Sequence, residues 1–209
     1  TGIMSEGVVN WIDRSIGPGR VTSGAVIVRG PLADFPFEER TSGRFEVFFN
    51  TENLSLDYWP GWPMLKELNA DVRFLNNSLD IWAHAGRIFD SQLQETHTKI
   101  DQLAQSSPLE LDGSVTGSLS DSLRLLRESP LKQDFGALVE TINGSGDTRL
   151  KLRFSQPLND SGVFSIDGQL QFEKSQLELK EWDLSLEQIQ GQLKFDQDHI
   201  FADAIRGEV

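Results

Sequence analysis

Apolar and polar positions alternate along most of this chain. Val72 and Phe74 share one parity while Asp71 and Arg73 take the other. Leu150, Leu152 and Phe154 oppose Arg149, Lys151 and Arg153, and Leu193 and Phe195 oppose Gln192 and Lys194. A period of two marks strands with one apolar and one wet face, the habit of antiparallel sheets covered on a single side. The pattern predicts strands over 24–28, 44–49, 53–58, 70–75, 78–83, 109–115, 148–154, 163–172, 175–180, 182–187 and 191–195. Turn residues separate them, among them Asn76-Asn77, Asp112-Gly113, Asn159 to Gly162 and Asp167-Gly168.

Helical spacing is confined to three places. Ser5 is a candidate cap for a helix with Val8, Val9, Ile12 and Ile16 on one side, ended by Gly17-Pro18-Gly19. Ser120 or Asp121 caps a second, through Leu123, Leu126 and Arg127, stopped before Pro130. The third runs from Leu131 to Ile142, with Phe135, Leu138, Val139 and Ile142 on one stripe and Asn143-Gly144 as its stop. The polar stretch from Asp90 to Gln105 reads either as a strand with a long return or as a loop.

The chain also repeats itself. At an offset of 121 positions, Leu68, Ala70, Val72, Phe74, Leu79, Ile81, Ala83 and Gly86 fall on Ile189, Gly191, Leu193, Phe195, Ile200, Ala202, Ala204 and Gly207. Upstream, GRFEV from Gly43 and the following NLSLDYW parallel GQLQF from Gly168 and the following SQLELKEW. Recurrence of a multi-strand unit is the habit of extended arrays. The expected fold is mostly β: antiparallel meander repeats forming a curled, trough-like sheet or an open sandwich, with three short helices. The expected division is a helical lead-in (1–19), a first β-repeat module (20–118), a helical insertion (119–147) and a second module (148–209).

Charge and composition narrow the partners. Asp and Glu number 32 against 19 Lys and Arg, a formal charge of −13, which argues against a nucleic-acid partner and against docking on anionic lipid through a basic patch. Without cysteine there is no disulfide, thiolate metal site or Cys nucleophile. No apolar run approaches the roughly 20 residues of a spanning helix, and the N-terminus lacks the pattern of a signal peptide. The chain opens at Thr1 and stops at Val209 in strand-like sequence, so it is expected to be an internal piece of something longer.

Catalytic motifs are missing. The chain contains no phosphate-binding G-x-x-x-x-G-K-[ST], no strand-following G-x-G-x-x-G, no G-x-S-x-G and no H-E-x-x-H. Asn143 to Asp147 (NGSGD) lies between helix and strand, the wrong order for a phosphate cradle, and reads as a helix stop. His84, His97 and His199 lack ligand spacing. Asp198, His199 and Asp203 make a conceivable hard-cation set, but in so acidic a chain chance proximity explains them better. No metal and no cofactor are expected. Five tryptophans stand against one tyrosine; Trp59, Trp62, Trp82 and Trp182 lie in or beside strands, and Pro60 and Pro63 bracket a break. For most aromatics the reading is core filling. Even so, some ten one-faced strands with only three short helices must either close on a second sheet or offer an open apolar trough.

The order of elements is familiar. A short helix (VVNWIDRSI) precedes a Gly-started strand and RGPLADFPF. GRFEVFFNTENLSLDYWPGWPMLKELNADVRFLNNSLDIWA follows, then a helix ending in Ser-Pro, a GSGD-led strand and a further meander. This resembles the AsmA-like family of Gram-negative envelope proteins over nearly the whole chain. Asp34-Phe35-Pro36-Phe37 and Gly61-Trp62-Pro63 are the most specific elements. The resemblance implies a periplasmic, β-rich segment of an inner-membrane-anchored protein that moves phospholipid between the inner and outer membranes. Acyl chains would then need a continuous apolar path, worth about 0.8 kcal/mol per buried CH₂.

The lining expected for such a path is Phe45, Val47, Leu54, Leu56, Tyr58, Val72, Phe74, Leu79, Ile81, Leu152, Phe154, Phe164, Ile166, Leu170, Phe172, Leu177, Leu179, Leu193 and Phe195. Each of these also suits ordinary core packing. A purely structural β-array of the envelope and a carbohydrate-binding β-sandwich remain the competing classes, and a hydrolase ranks last.

Overall fold

A computed structural model describes residues 13–35, 37, 43–103, 107–157 and 164–209. Ten strands form one antiparallel sheet in strict sequence order. They are β1 (Arg20–Arg29), β2 (Arg44–Leu56), β3 (Leu65–Leu75), β4 (Ser78–Ile88), β5 (Ser91–Ile100), β6 (Leu109–Ser118), β7 (Ile142–Gln156), β8 (Ser165–Leu179), β9 (Leu184–Asp196) and β10 (Ile200–Glu208). β1 and β10 are its two edges, so the sheet is open rather than closed into a barrel. The expected meander is therefore present. The uncertain stretch after Asp90 is β5, bonded to β4 and β6.

Two α-helices occur among the described residues, not three: α1 (Leu119–Glu128) and α2 (Lys132–Glu140), both between β6 and β7. The helix expected from Ser5 falls mostly outside the described residues, which include only its last turn, Asp13–Ser15. Ser118 caps α1 by accepting from the Asp121 N–H at 3.1 Å, which satisfies one of the first-turn donors. The helix ends before Pro130 as expected. NGSGD does not stop a helix. It lies inside β7, where Gly146 takes a φ of +89° at a register shift.

Three predicted breaks within strands are β-bulges instead. Segments 44–49 and 53–58 belong to one strand, as do 163–172 with 175–180 and 182–187 with 191–195. At each join the apolar face advances by three residues instead of two: Thr51 to Leu54, Phe172 to Ser175, Leu186 to Ile189. A residue beside the step sits in the left-handed region: Asn53 (φ 52°), Lys174 (59°) and Gln188 (52°). β3 does the same between Leu65 and Leu68 around Glu67 (52°), and β5 shifts register between Leu93 and Thr96. The extra residue restores the apolar parity that would otherwise flip to the other face, and it bends the strand.

The repeat is visible in the register. Phe49↔Val72 in β2–β3 matches Leu170↔Leu193 in β8–β9, and Val72↔Ile81 in β3–β4 matches Leu193↔Ala202 in β9–β10, each displaced by 121 positions. The bulge residues Asn53 and Glu67 map onto Lys174 and Gln188 at the same displacement. The upstream alignment of GRFEV with GQLQF is thereby corrected. The register places Phe49, not Phe45, on Leu170.

Candidate functional site

Directly paired residues of an antiparallel ladder point to the same side, so the registers trace one face across the sheet. One row runs Phe49, Val72, Ile81, Thr98, Leu111, Phe154, Ile166 from β2 to β8. A parallel row runs Val47, Phe74, Leu79, Ile100, Leu109. Arg149, Lys151 and Arg153 of β7 and Asp71 and Arg73 of β3 lie on the opposite, polar face. There Arg73 donates to Glu46 at 2.7 Å, His97 meets Asp80 at 2.9 Å, and Lys99 pairs with Glu110 at 2.8 Å.

Seventeen of the nineteen expected lining residues lie in strands, and the ladder puts them all on the apolar face. Tyr58 and Phe164 sit in connections instead, after β2 and before β8. Sequence reasoning passed over Phe49, Leu68, Ala70, Ala83, Ile100, Leu111, Leu150 and Ile189, which share this face. Their signal was the same alternation, obscured where bulges shift its phase.

Three clusters order the face. Leu68, Ala70 and Ala83 pack with Leu54, Leu56, Ile81 and Leu93; Val72, Leu79 and Ile100 pack with Phe49, Phe74, Leu103 and Leu109. The third is roofed by the helices: Leu119 and Leu123 of α1 and Val139 of α2 lie on Phe172 and Ile189, with Leu170, Leu177 and Leu193 around them. Gly144 lets α1 approach β7 this closely, since a Cβ there would stand 2.6 Å from the Leu119 side chain. Arg127 donates to the Val139 carbonyl at 3.0 Å and to that of Ile142, locking α1 to the exposed end of α2. At the other end of α1, Asp121 accepts from the Ser91 hydroxyl at 2.7 Å, and the Arg124 guanidinium lies 4.0 Å over Phe89. The roof is thus fastened to the β4–β5 turn as well as to β7.

The two most specific sequence elements both lean over the apolar face. Phe35 packs edge-on against Phe37 and Phe45, with centroids 5.7 and 5.1 Å apart, and Phe37 is fully buried. In the β2–β3 connection, Trp62 lies 6.1 Å from Tyr58 and 6.2 Å from Phe154 of β7, while Gly61 abuts Pro130 between the helices. Burial, with the Asp57 charge nearby, pushes the Tyr58 hydroxyl well above its ordinary pKa.

The Trp62 contact also fixes the shape. On a flat sheet Phe154 would stand four strand spacings and some seven residues from Leu65, about 30 Å away. Three residues of chain and an indole span roughly 15–20 Å. The sheet is therefore curved, apolar face inward, and the connection crosses its hollow side. Among the other tryptophans, Trp82 stacks on His97 on the polar face at 5.1 Å, and Trp59 and Trp182 are exposed. Core filling does not describe those three.

Electrostatics belong to the polar face. A hydrogen bond from Arg44, with Arg73 opposite, holds the Glu46 carboxyl below its ordinary range, and His84 and Asn50 do the same for Asp71. Asp71 in turn raises His84. The conceivable cation set is rearranged. Asp196, Asp198 and His199 come together in the β9–β10 turn, whereas Asp203 accepts from Gln192 instead. Asp196 Oδ1 accepts from the backbone N–H groups of Asp198 and His199 at 2.8 Å each, the work of a turn cap.

The fold and the face together define a curved, open antiparallel β-array with one apolar side and a polar back. The YhdP protein family model matches residues 1–209, and the chain belongs to that family. A curated relative, the intermembrane phospholipid transporter YhdP of Escherichia coli (strain K12), is 23% identical over 193 residues. That alignment covers 92% of this chain and 15% of the relative, so the chain spans about one-seventh of that protein. No solved structure matches. No helix among the described residues is long and apolar enough to cross a membrane.

Proposed function

We propose that this chain is a periplasmic, non-enzymatic segment of an inner-membrane-anchored transporter, and that its hollow apolar face carries the acyl chains of phospholipids between the inner and outer membranes. The observation behind this reading is the row from β2 to β8, apolar at every strand but β5, where Thr98 stands, in a chain of the YhdP family. Acyl chains lie along the row and head groups stay in water at the open side. The repeat extends the path by adding strands, at ~0.8 kcal/mol for every CH₂ kept from water. Movement along such a face forms and breaks no covalent bond, so the segment needs no nucleophile or acid–base pair.

A charge placed on the row is the direct test. Ile81→Glu and Leu152→Glu in the full-length protein should each reduce phospholipid transfer between membrane vesicles at least five-fold. Asp80→Asn and Arg153→Gln, on the polar face, should leave transfer within two-fold of the native rate. Equal effects on the two faces would overturn the reading.

A further inference from the structure

The helix pair lies over one end of β7 and the aromatic connection over the other, and Leu150, Leu152 and Phe154 along the same face are half-buried. At the level of Leu150, the neighbouring Leu170 is packed beneath the helix pair. Four residues along the strand, at Phe154, the Trp62 indole rests edge-on against the ring with centroids 6.2 Å apart, and Phe164 also stacks on Phe154 at 6.0 Å. A methylene chain held between two rings needs about 3.5–4 Å to each of them. The Trp62–Phe154 contact leaves no such gap.

The connection, a strap across the hollow side, is stiff at its tip. Pro60 and Pro63 fix the backbone on either side of Gly61, which alone in the segment takes a left-handed φ (+79°). The Trp62 N–H donates to the Trp59 carbonyl at 3.1 Å, closing a turn at the tip. On the far side the strap touches an aromatic ring and the Pro130 ring edge. Parting these two apolar contacts breaks no hydrogen bond between the strap and Phe154 or Pro130.

We propose that the Tyr58–Trp62 strap is a gate on the apolar face, and that Trp62 must swing off Phe154 for an acyl chain to cross β7. The inference rests on the lipid-conduit reading and adds to it the residue that sets passage. Trp62 is a positioning and gating residue, and its partners are the acyl chains themselves.

The test uses full-length protein carrying Trp62→Cys and Phe154→Cys, joined by a bis-methanethiosulfonate reagent that forms a disulfide with each thiol and releases methanesulfinate, with transfer of a fluorescent phosphatidylethanolamine between vesicles as the readout. Bridging should lower the rate at least five-fold, and reduction should restore it. Unbridged Trp62→Ala should transfer at least twice as fast as the native protein, and Trp62→Phe, with a smaller ring over Phe154, should fall between the two. Should the double variant fail to fold, the Ala and Phe variants decide alone. Equal rates for the bridged and reduced forms overturn the gate, as does a Trp62→Ala rate at or below native, the result a merely structural tryptophan would give. A photoreactive residue at Phe74 separates the two failures. If it captures no phospholipid, the conduit itself is wrong; if it captures lipid while bridging changes nothing, the gate alone falls.

Discussion

The hairpins β3–β4 and β9–β10 share their register beside the turn and a left-handed bulge residue in the first strand, yet their burial is opposite. Leu79 is 6% exposed, whereas Ile200, its counterpart 121 positions on, is 48% exposed; Ala83 is buried and Ala204 exposed. The difference lies beside them. β4 is flanked by β5, and β10 is an edge. The other edge repeats the lesson, since Val26 of β1 is 65% exposed although it pairs with Val47. In this sheet, burial is conferred by the next strand and by what lies over the hollow face, as expected of an array whose stability is summed from neighbour to neighbour.

The comparison is broken most forcefully by charge. Leu79→Asp strands a carboxylate among Val72 and Ile100 and should cost about 3–5 kcal/mol in urea denaturation, whereas Ile200→Asp should cost under ~1 kcal/mol. Equal costs would mean that the hairpins are stabilised from within. Next in size, Leu123→Ala removes the roof contact over Phe172 and Ile189 and should cost about 3 kcal/mol. The equivalent sites Thr51 and Leu68 in the first unit should be unmoved, as judged by hydrogen exchange in β2 and β3.

Smaller effects sharpen the contrast on the polar face. Glu46 is 9% exposed between Arg44 and Arg73, while its counterpart Asp167 is exposed. Glu46→Gln should cost about 1–2 kcal/mol, and Asp167→Asn under ~0.5 kcal/mol. A carboxyl held low in the folded state stabilises above its unfolded value, near 4.5 for Glu46, and loses that contribution as pH falls through the lowered folded value. The native protein should therefore lose stability on acidification below this range, and Glu46→Gln should flatten the loss. The smallest effect has the opposite sign. His84 is raised, so its contribution is complete below about 6.5 and fades as pH rises through the folded value. With the imidazole 46% exposed, removing it by His84→Gln should change the urea midpoint only slightly, and only on the acidic side of that window.

The strands were legible because alternation is dictated by the pleat: Asp71, Val72, Arg73 and Phe74 state their faces outright. Strand length was not. At Thr51–Leu54 or Phe172–Ser175 a three-residue step looks like a strand end, because a bulge and a turn both interrupt a period of two. NGSGD was misread for a related reason: glycine serves equally for a helix stop and for the close approach of Leu119 to Gly144. The Trp62–Phe154 contact was beyond reach, since it joins residues whose proximity depends on the curvature of the whole sheet. Gly61-Trp62-Pro63 stood out as a motif, but nothing local to it says that it crosses the hollow face.

The most direct measurement is photocrosslinking in cells with full-length protein, a photoreactive residue replacing Phe74 in one strain and Arg73 in another. Adjacent in β3, the two point to opposite faces, Phe74 beside Val47 and Leu79, Arg73 toward Glu46. The account predicts phospholipid adducts at position 74 and none at 73. Adducts at neither position with normal expression would mean that the face is closed core, and adducts at both would mean that lipid does not distinguish the faces; either result contradicts a conduit on the hollow side of the sheet.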